Sequence, residues 1–430
     1  MCEVLTETEG LKEGGREEGL PYLKRLRLNF STTYYSMAHR LGLKRLQELF
    51  QGANTLQDLT LAVHLLGREY ARSAEGSSNP EHDLKVTQLL QQDIASRLLM
   101  TYRKDFPAIG EPGLTSDAGW GCTLRSGQML LAQALLRHAL RRKWRRRDEA
   151  PPPEALQRLL RWFWDLPGSQ HPFSVHSLCA AGRLHGVQPG EWLGPWVLCR
   201  TLQAAVNTGG QHCGLFLHVL ASPGGGAPVL YTSQLDSLMA PTSSDAPGSA
   251  TSSPASATSP HTGGLVLLVP LTLGVHGKVN PRYIPQLLEV LKWPQSLGIV
   301  GGRPSSSLYF VGCQGEQVLY LDPHDVQEAV HEESQQSSTD FSSYWCSRIR
   351  LMPIQSIDPS LAIGFYCRHQ GKLEDLCHRL KDLEARAEGA PLLSISDAAT
   401  SPAWEEQAAS SEQPVASQPG QPSGEEWEML

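Results

Sequence analysis

Cys122 is the first residue in this chain whose type and setting could do chemistry. It follows the step Trp120-Gly121 and opens a long apolar segment. A thiol at a helix N-terminus faces unpaired amide hydrogens and the positive end of the helix dipole, so its thiolate is favoured. The same amides can stabilise an oxyanion. Taken alone, Cys122 can also be read as a small buried core cysteine. Far downstream, Asp322-Pro323-His324 closes an apolar run. Side chains at i and i+2 of an extended segment point the same way, so Asp322 can orient the His324 imidazole, as the acid of a catalytic triad does. The competing reading is a strand-end turn with a surface histidine. A cysteine followed at a distance by a histidine is the sequence form of a thiol hydrolase.

These residues need elements to hold them. Thr115 to Leu140 reads as a turn followed by a buried helix. Thr115, Ser116 and Asp117 offer cap chemistry, Gly119 and Gly121 a tight backbone, and Leu124 to Leu136 is apolar almost all round. Leu59–Tyr70 reads as a strand ending in a Gly turn, and Asp83–Tyr102 has helical spacing. Strands are expected at Leu265–Leu273, Leu308–Cys313 and Val318–Leu321, with a helix near Tyr283–Leu291. The apolar spacing also suggests a helix around Leu43–Phe50. Residues 233–264, rich in Ser, Ala, Thr, Pro and Gly, are expected to be a disordered insertion, and residues 389–430 a disordered tail.

Several motifs stand in one order along the chain: TYRKDFPAIG (101–110), TSDAGWGCTLRSGQMLLAQAL (115–135), FSVHSL (173–178), GEWLGP (190–195), NPRYIP (280–285), PQSLGIVGGRP (294–304), YLDPH (320–324) and IDPSLAIGFYC (357–367). Together they resemble the autophagins, the papain-like cysteine proteases that act on ubiquitin-like autophagy modifiers such as GABARAP. The wording of the last motif and the EEWEML ending are closest to plant-type members. The resemblance implies an α+β, papain-like fold with a small additional subdomain. It places the catalytic domain at 59–388, an N-terminal extension of unassigned role at 1–58, and the tail at 389–430. It implies a triad of Cys122, His324 and Asp322, with Tyr102 helping the Cys122 amide to hold the oxyanion. Trp192 matches a tryptophan that packs over the substrate groove, and Gly301 and Gly302 a loop that lifts when substrate enters. The implied substrates are the modifiers, free and conjugated to phosphatidylethanolamine, with transient contact to the autophagosomal membrane and no cofactor. Thr123 stands where the family usually has Met.

Trp427 and Leu430 form an aromatic-x-x-aliphatic motif preceded by Glu425 and Glu426. Such a segment can add as a strand to a sheet edge, filling two pockets. It matches the short motif that binds GABARAP-type modifiers. A non-catalytic adaptor acting through this motif alone is the rival function.

The 430 residues carry 37 Lys and Arg against 44 Asp and Glu, a net charge of −7. That balance argues against a nucleic-acid binder. Seven acids and no bases lie in 389–430, which leaves a net charge of zero for residues 1–388. Nine cysteines in so long a chain are too sparse for a disulfide scaffold. No apolar run approaches the roughly 20 residues of a membrane span, and the acidic start has no secretory character. A monomer in the reducing cytoplasm, with mostly free thiols, is therefore expected. The basic run Arg141–Arg147 reads as a solvated helix end, with contact to anionic lipid as the alternative.

Overall fold

The segment Gly264–Thr272 is apolar at nearly every position, and the reason lies in the sheet it joins. Val266 and Leu268 pack into one core, and Leu265, Leu267 and Val269 into a second on the opposite face. Alternate side chains of a strand point to opposite faces, so a strand covered on both sides must be apolar throughout.

A computed structural model describes residues 61–72, 80–111, 113–147, 150–209, 213–220, 226–233, 263–275, 277–303, 306–330 and 341–396. The helix expected at Leu43–Phe50, the 1–58 extension, nearly all of the 233–264 insertion, and Trp427 and Leu430 lie outside them. In chain order the strands are β1 (Val63–Leu65), β2 (Arg68–Tyr70), β3 (Tyr102–Ile109), β4 (Leu114–Ser116), β5 (Leu215–Val219), β6 (Val229–Tyr231), β7 (Gly264–Thr272), β8 (Gly274–Val275), β9 (Lys278–Val279), β10 (Ser296–Arg303), β11 (Ser306–Gln314), β12 (Gln317–Leu321), β13 (Val326–Glu328), β14 (Arg350–Pro353), β15 (Ser360–Cys367) and β16 (Ser394–Ser396). The helices are α1 (Pro80–Ala95), α2 (Cys122–Leu140), α3 (Glu154–Arg161), α4 (Val175–Arg183), α5 (Pro195–Gly209), α6 (Ile284–Lys292) and α7 (Gln370–Ala385).

The main sheet has the order β14-β12-β11-β10-β15-β7-β5, with the hairpin β1–β2 joined to β11. Its neighbours are antiparallel except β5 and β7. Helices α2 to α5 contribute to the core on one face, and α6 and α7 to the core on the other. Helix α2 is buried from Cys122 through Arg137, as its all-round apolar pattern requires. A smaller sheet, β13-β3-β4, stands apart. The result is the expected α+β class. Among the described residues no helix is long and apolar enough to cross a membrane.

Four expectations need correction. The helical pattern of Asp83–Tyr102 stops at Ala95. There the amides of Ser96 and Arg97 turn back to the carbonyls of Asp93 and Ile94, and Tyr102 is drawn into parallel pairing with Val326. A long-range strand partner overrides the local period. The strand expected at Leu59–Tyr70 is instead a hairpin, β1 paired with β2 around Leu66-Gly67. Thr115 and Ser116 lie in β4 rather than capping a helix, and Gly121 caps α2 without a side-chain bond. Finally, the folded body runs past 389. Ala390, Leu392 and Leu393 are buried, and β16 pairs in parallel with β6.

The basic run is only partly solvated: Arg142 and Arg145 are drawn inward, while Arg141, Lys143 and Arg147 are exposed. Asp93 is completely buried at the C-terminal end of α1. Its carboxylate accepts hydrogen bonds from Arg97 at 2.9 Å, from Arg142 at 3.0 and 2.7 Å, and from the Tyr70 hydroxyl, and Arg145 pairs with it at 3.2 Å. One carboxylate thus ties α1, β2 and the segment after α2 together. Burial pushes its pKa up, but the charges of Arg97, Arg142 and Arg145 bring it down to about 2. Removing one partner of a buried ion pair strands the others and costs about 3–5 kcal/mol. Asp93→Asn should therefore lower the unfolding free energy by about that amount in a denaturant titration; a loss below about 1 kcal/mol would show the network to be idle. Because the folded-state pKa is depressed, this contribution is present above the ordinary carboxylate range and lost as pH falls toward about 2.

Candidate active site

Three elements bring the reactive residues together. Strand β4 runs into the turn Asp117–Gly121, which delivers Cys122 as the first residue of α2. Gly119 adopts φ +88°, a left-handed conformation that favours glycine. Gly121 must be glycine for another reason: a Cβ there would overlap the Asp117 carboxylate. Strand β3 begins at Tyr102, whose amide donates to the Pro323 carbonyl at 2.9 Å. Strand β13 starts two residues after His324 and pairs Val326 with Tyr102. The Asp322-Pro323-His324 step is thereby clamped between β12 and β13. Tyr102, Ala118, Cys122 and Val326 form their own small buried cluster.

The geometry is that of a charge-paired thiol. His324 Nδ1 donates to Asp322 Oδ1 at 2.6 Å, and Oδ1 also accepts the His324 amide at 3.1 Å. The other carboxylate oxygen accepts from Arg350 at 2.7 Å. The Cys122 sulfur is hydrogen-bonded by His324, the Ser307 amide and the Tyr102 hydroxyl. The Tyr102 ring meets the His324 ring edge-on, centroids 5.4 Å apart. Ser306 Oγ lies 3.3 Å from His324 Nε2. Burial alone would raise the pKa of Cys122, but the His324 bond and charge, with Ser307 and Tyr102, hold it below the ordinary thiol value. Burial alone would lower the pKa of His324, but its bonds to Asp322 and Cys122 push it up to about 9. For Asp322, burial acts upward and His324 and Arg350 bring the value down to about 2. The resting pair is therefore shifted toward thiolate and imidazolium.

Six of the other described cysteines behave differently. All eight described cysteines, Cys122 included, are free thiols. Burial pushes Cys179, Cys199, Cys213, Cys313, Cys346 and Cys367 upward. Among the described residues no group of three or more His, Cys, Asp or Glu side chains could hold a metal ion.

Cys122, Asp322, His324 and Tyr102, the four residues expected to share a site, are in one place. Trp192 is not a core aromatic; it is 56% exposed. Gly301 and Gly302 are not in a loop. They lie inside β10, paired with Leu308 and Ser307 of β11. A Cβ on Gly301 would press on Leu361 and Phe310 at 3.2 Å, and one on Gly302 would overlap the Ser306 carbonyl, so close strand packing selects both glycines. The groups of that hairpin that touch the reactive pair are Ser306 and Ser307. Sequence reasoning missed them, and missed Arg350 and the ion pairs of Asp117, Arg125 and Asp165. An arginine in an otherwise apolar helix signals a buried acid, which is how Arg125 was legible in principle.

Comparison with known proteins agrees with this geometry. The Peptidase C54 catalytic domain matches residues 86–379. Cysteine protease ATG4b of Arabidopsis thaliana is 38% identical over 369 residues, covering 83% of this chain and 74% of that protein. Cysteine protease ATG4A of Oryza sativa subsp. indica is 40% identical over 346 residues, 77% and 70% of the two chains. Cysteine protease ATG4D of Xenopus laevis is 34% identical over 391 residues, 79% of each.

The ion pair has a pH signature. Iodoacetamide labelling of Cys122, read by mass spectrometry of its peptide, should titrate with a midpoint below the ordinary thiol value of 9.0. His324→Ala should move the midpoint up, because burial then acts with little opposition. A wild-type midpoint at or above 9.0 would refute the ion pair. Any reaction that needs the imidazolium proton should decline as pH rises past about 9.

Proposed function

The chain belongs to the autophagin family, the C54 cysteine proteases, and from that membership we propose that it hydrolyses the bond after the C-terminal glycine of GABARAP-type ubiquitin-like modifiers. The observation that carries this reading is the continuous line from Cys122 through His324 to Asp322 at the N-terminus of α2, with the Tyr102 hydroxyl on the sulfur.

The Cys122 thiolate attacks the glycine carbonyl carbon. The carbonyl π electrons move to oxygen, and the Cys122 amide and Tyr102 hydroxyl receive that negative charge. Collapse breaks the C–N bond, and the His324 imidazolium gives its proton to the leaving amine. A thioester remains. Neutral His324 then takes a proton from water, the hydroxide adds to the thioester carbon, and the C–S bond breaks to restore the thiolate. Asp322 holds the imidazole by Nδ1 throughout, and Arg350 holds Asp322.

The leaving amine can be the next residue of a precursor or the ethanolamine nitrogen of a lipid conjugate. The chemistry at sulfur is the same, so one site serves maturation and release from membrane. Ser306 and Ser307 lie against the imidazole and the sulfur, and a residue without a side chain at the cleaved position suits a site lined so closely. Exposed Trp192 is available to cover that segment. Trp427 and Leu430 supply a second hold on the modifier by strand addition, with Glu425, Glu426 and Glu428 meeting basic neighbours. The enzyme acts in the cytoplasm as a monomer.

Purified protein incubated with modifiers carrying a C-terminal tag tests the reading. Wild type should release the tag, and Cys122→Ala should not. Asp322→Asn should lower kcat by about 10²- to 10⁴-fold, because the imidazole loses its tautomer and orientation. No release by wild type from any of several modifiers would sink the proposal. Deleting residues 425–430 should weaken modifier binding; unchanged binding would leave the tail motif without a role.

A further inference from the structure

Behind the nucleophile lies a set of buried charges that the reaction does not use directly. Asp117, Arg125 and Asp165 are at most 2% exposed. Arg125 Nε donates to Asp117 Oδ2 at 2.7 Å and Nη2 to Asp117 Oδ1 at 3.2 Å. Its Nη1 lies 2.8 Å from Asp165 and donates to Gln128 at 3.1 Å. The guanidinium is thus held on three sides and cannot swing. Asp117 Oδ1 also accepts the Arg103 amide at 2.6 Å. Its main-chain carbonyl accepts the amides of Trp120 and Gly121.

The contacts of that one carboxylate fall next to both groups that would face the oxyanion. Arg103 follows Tyr102, and Gly121, whose Cα packs on the carboxylate, precedes Cys122. No side chain caps the start of α2, and the Ser116 bonds to Ala118 and Trp120 hold the turn further from Cys122. We infer that Asp117, locked by Arg125, is a positioning residue that sets the distance between the Tyr102 hydroxyl and the Cys122 amide. This deepens the hydrolase reading and rests on it. The largest influences on the Cys122 sulfur come from His324, Ser307 and Tyr102, whereas the hydrogen bonds of the Asp117 carboxylate go to Arg103 and Arg125. Asp117 therefore acts on where the oxyanion is received and not on how readily the thiolate forms. An ion pair this deep is a weak source of stability, and an apolar cluster of similar volume would serve the core as well. What it supplies is direction: two carboxylate oxygens and a planar guanidinium fix orientation as apolar packing cannot.

That division predicts a split between two reactions of the same sulfur. Attack on a carbonyl builds an oxyanion, whereas displacement of iodide from iodoacetamide does not. Asp117→Asn keeps the shape but turns an N–H toward Arg125 or the Arg103 amide, so the turn must shift. Misplacement of reacting groups by about 1 Å costs about 100-fold. In the full-length chain, kcat for modifier cleavage should fall about 10- to 100-fold with KM within about twofold. The rate of Cys122 alkylation should stay within about twofold, and its pH midpoint should not move. Arg125→Lys keeps the charge, loses the fork, and should show the same split, which covers the case in which Asp117→Asn fails to fold. Thermal melts confirm that the variants compared are folded. Equal losses in cleavage and alkylation, or unchanged cleavage by both folded variants, would overturn the inference. No cleavage by wild type would overturn the hydrolase reading and this inference with it.

Discussion

A thiolate and an imidazolium placed at a buried site must each have further partners, or burial drives both back to their neutral forms. That requirement organises the site. The thiolate is met by His324, an amide and a hydroxyl, and the imidazolium by a carboxylate that Arg350 holds in turn. Apart from Asp322 and His324, which share one short step, these groups come from separate segments of the chain. The small sheet β13-β3-β4 exists to bring them together: β3 carries Tyr102, β13 fixes the segment behind His324, and β4 leads into Cys122. Pairing β13 with β3 joins segments more than 200 residues apart in sequence, as the register of Tyr102 with Val326 shows.

The large sheet supplies the rigidity behind this junction. Both its faces are covered, so β12, which leads directly into Asp322, is buried along nearly its whole length. Its neighbour β14 places Arg350 opposite Tyr320, two residues before Asp322. The acid of the triad thus stands one residue past a paired strand, and the register of β12 with β14 brings Arg350 to it. On the other side α2 lies buried against the sheet, so its first turn has little freedom to move. The nucleophile opens a packed helix, its base stands in the short step between β12 and β13, and the hairpin β10–β11 touches both through Ser306 and Ser307.

Local chemistry was legible from sequence; long-range pairing was not. Strands β7, β11 and β12 and helix α6 stand close to where apolar runs and helical spacing put them. Cys122 and the Asp322–His324 relation followed from the helix start and the i, i+2 geometry. Strand β3 was hidden because the period of Leu84 to Leu99 continues past the point where the helix ends, and only β13, far downstream, makes Tyr102 a strand residue. The same holds for Arg350, which is one arginine among many until β14 pairs with β12. Gly301 and Gly302 misled in another way. Glycines suggest a loop, but here they are selected by the closeness of Leu361, Phe310 and Ser306 across paired strands. The pairing of Arg142 and Arg145 is not legible because their partner, Asp93, sits one helix away and carries no local sign of being buried.

Burial by itself cannot account for which cysteine reacts. Cys122 is 3% exposed, and Cys199, Cys313 and Cys367 are as deeply buried. In the latter three, burial raises the pKa with nothing sufficient to oppose it, and the thiol stays protonated and inert. At Cys122 the same burial strengthens every attraction between the sulfur and its partners, because a low dielectric magnifies favourable and unfavourable electrostatics alike. The sign of the effect is decided by whether charged and dipolar partners are already in place. Helix α2 and the β13-β3-β4 sheet put them there before any substrate arrives, and that preorganisation separates one reactive thiol from its quiet neighbours.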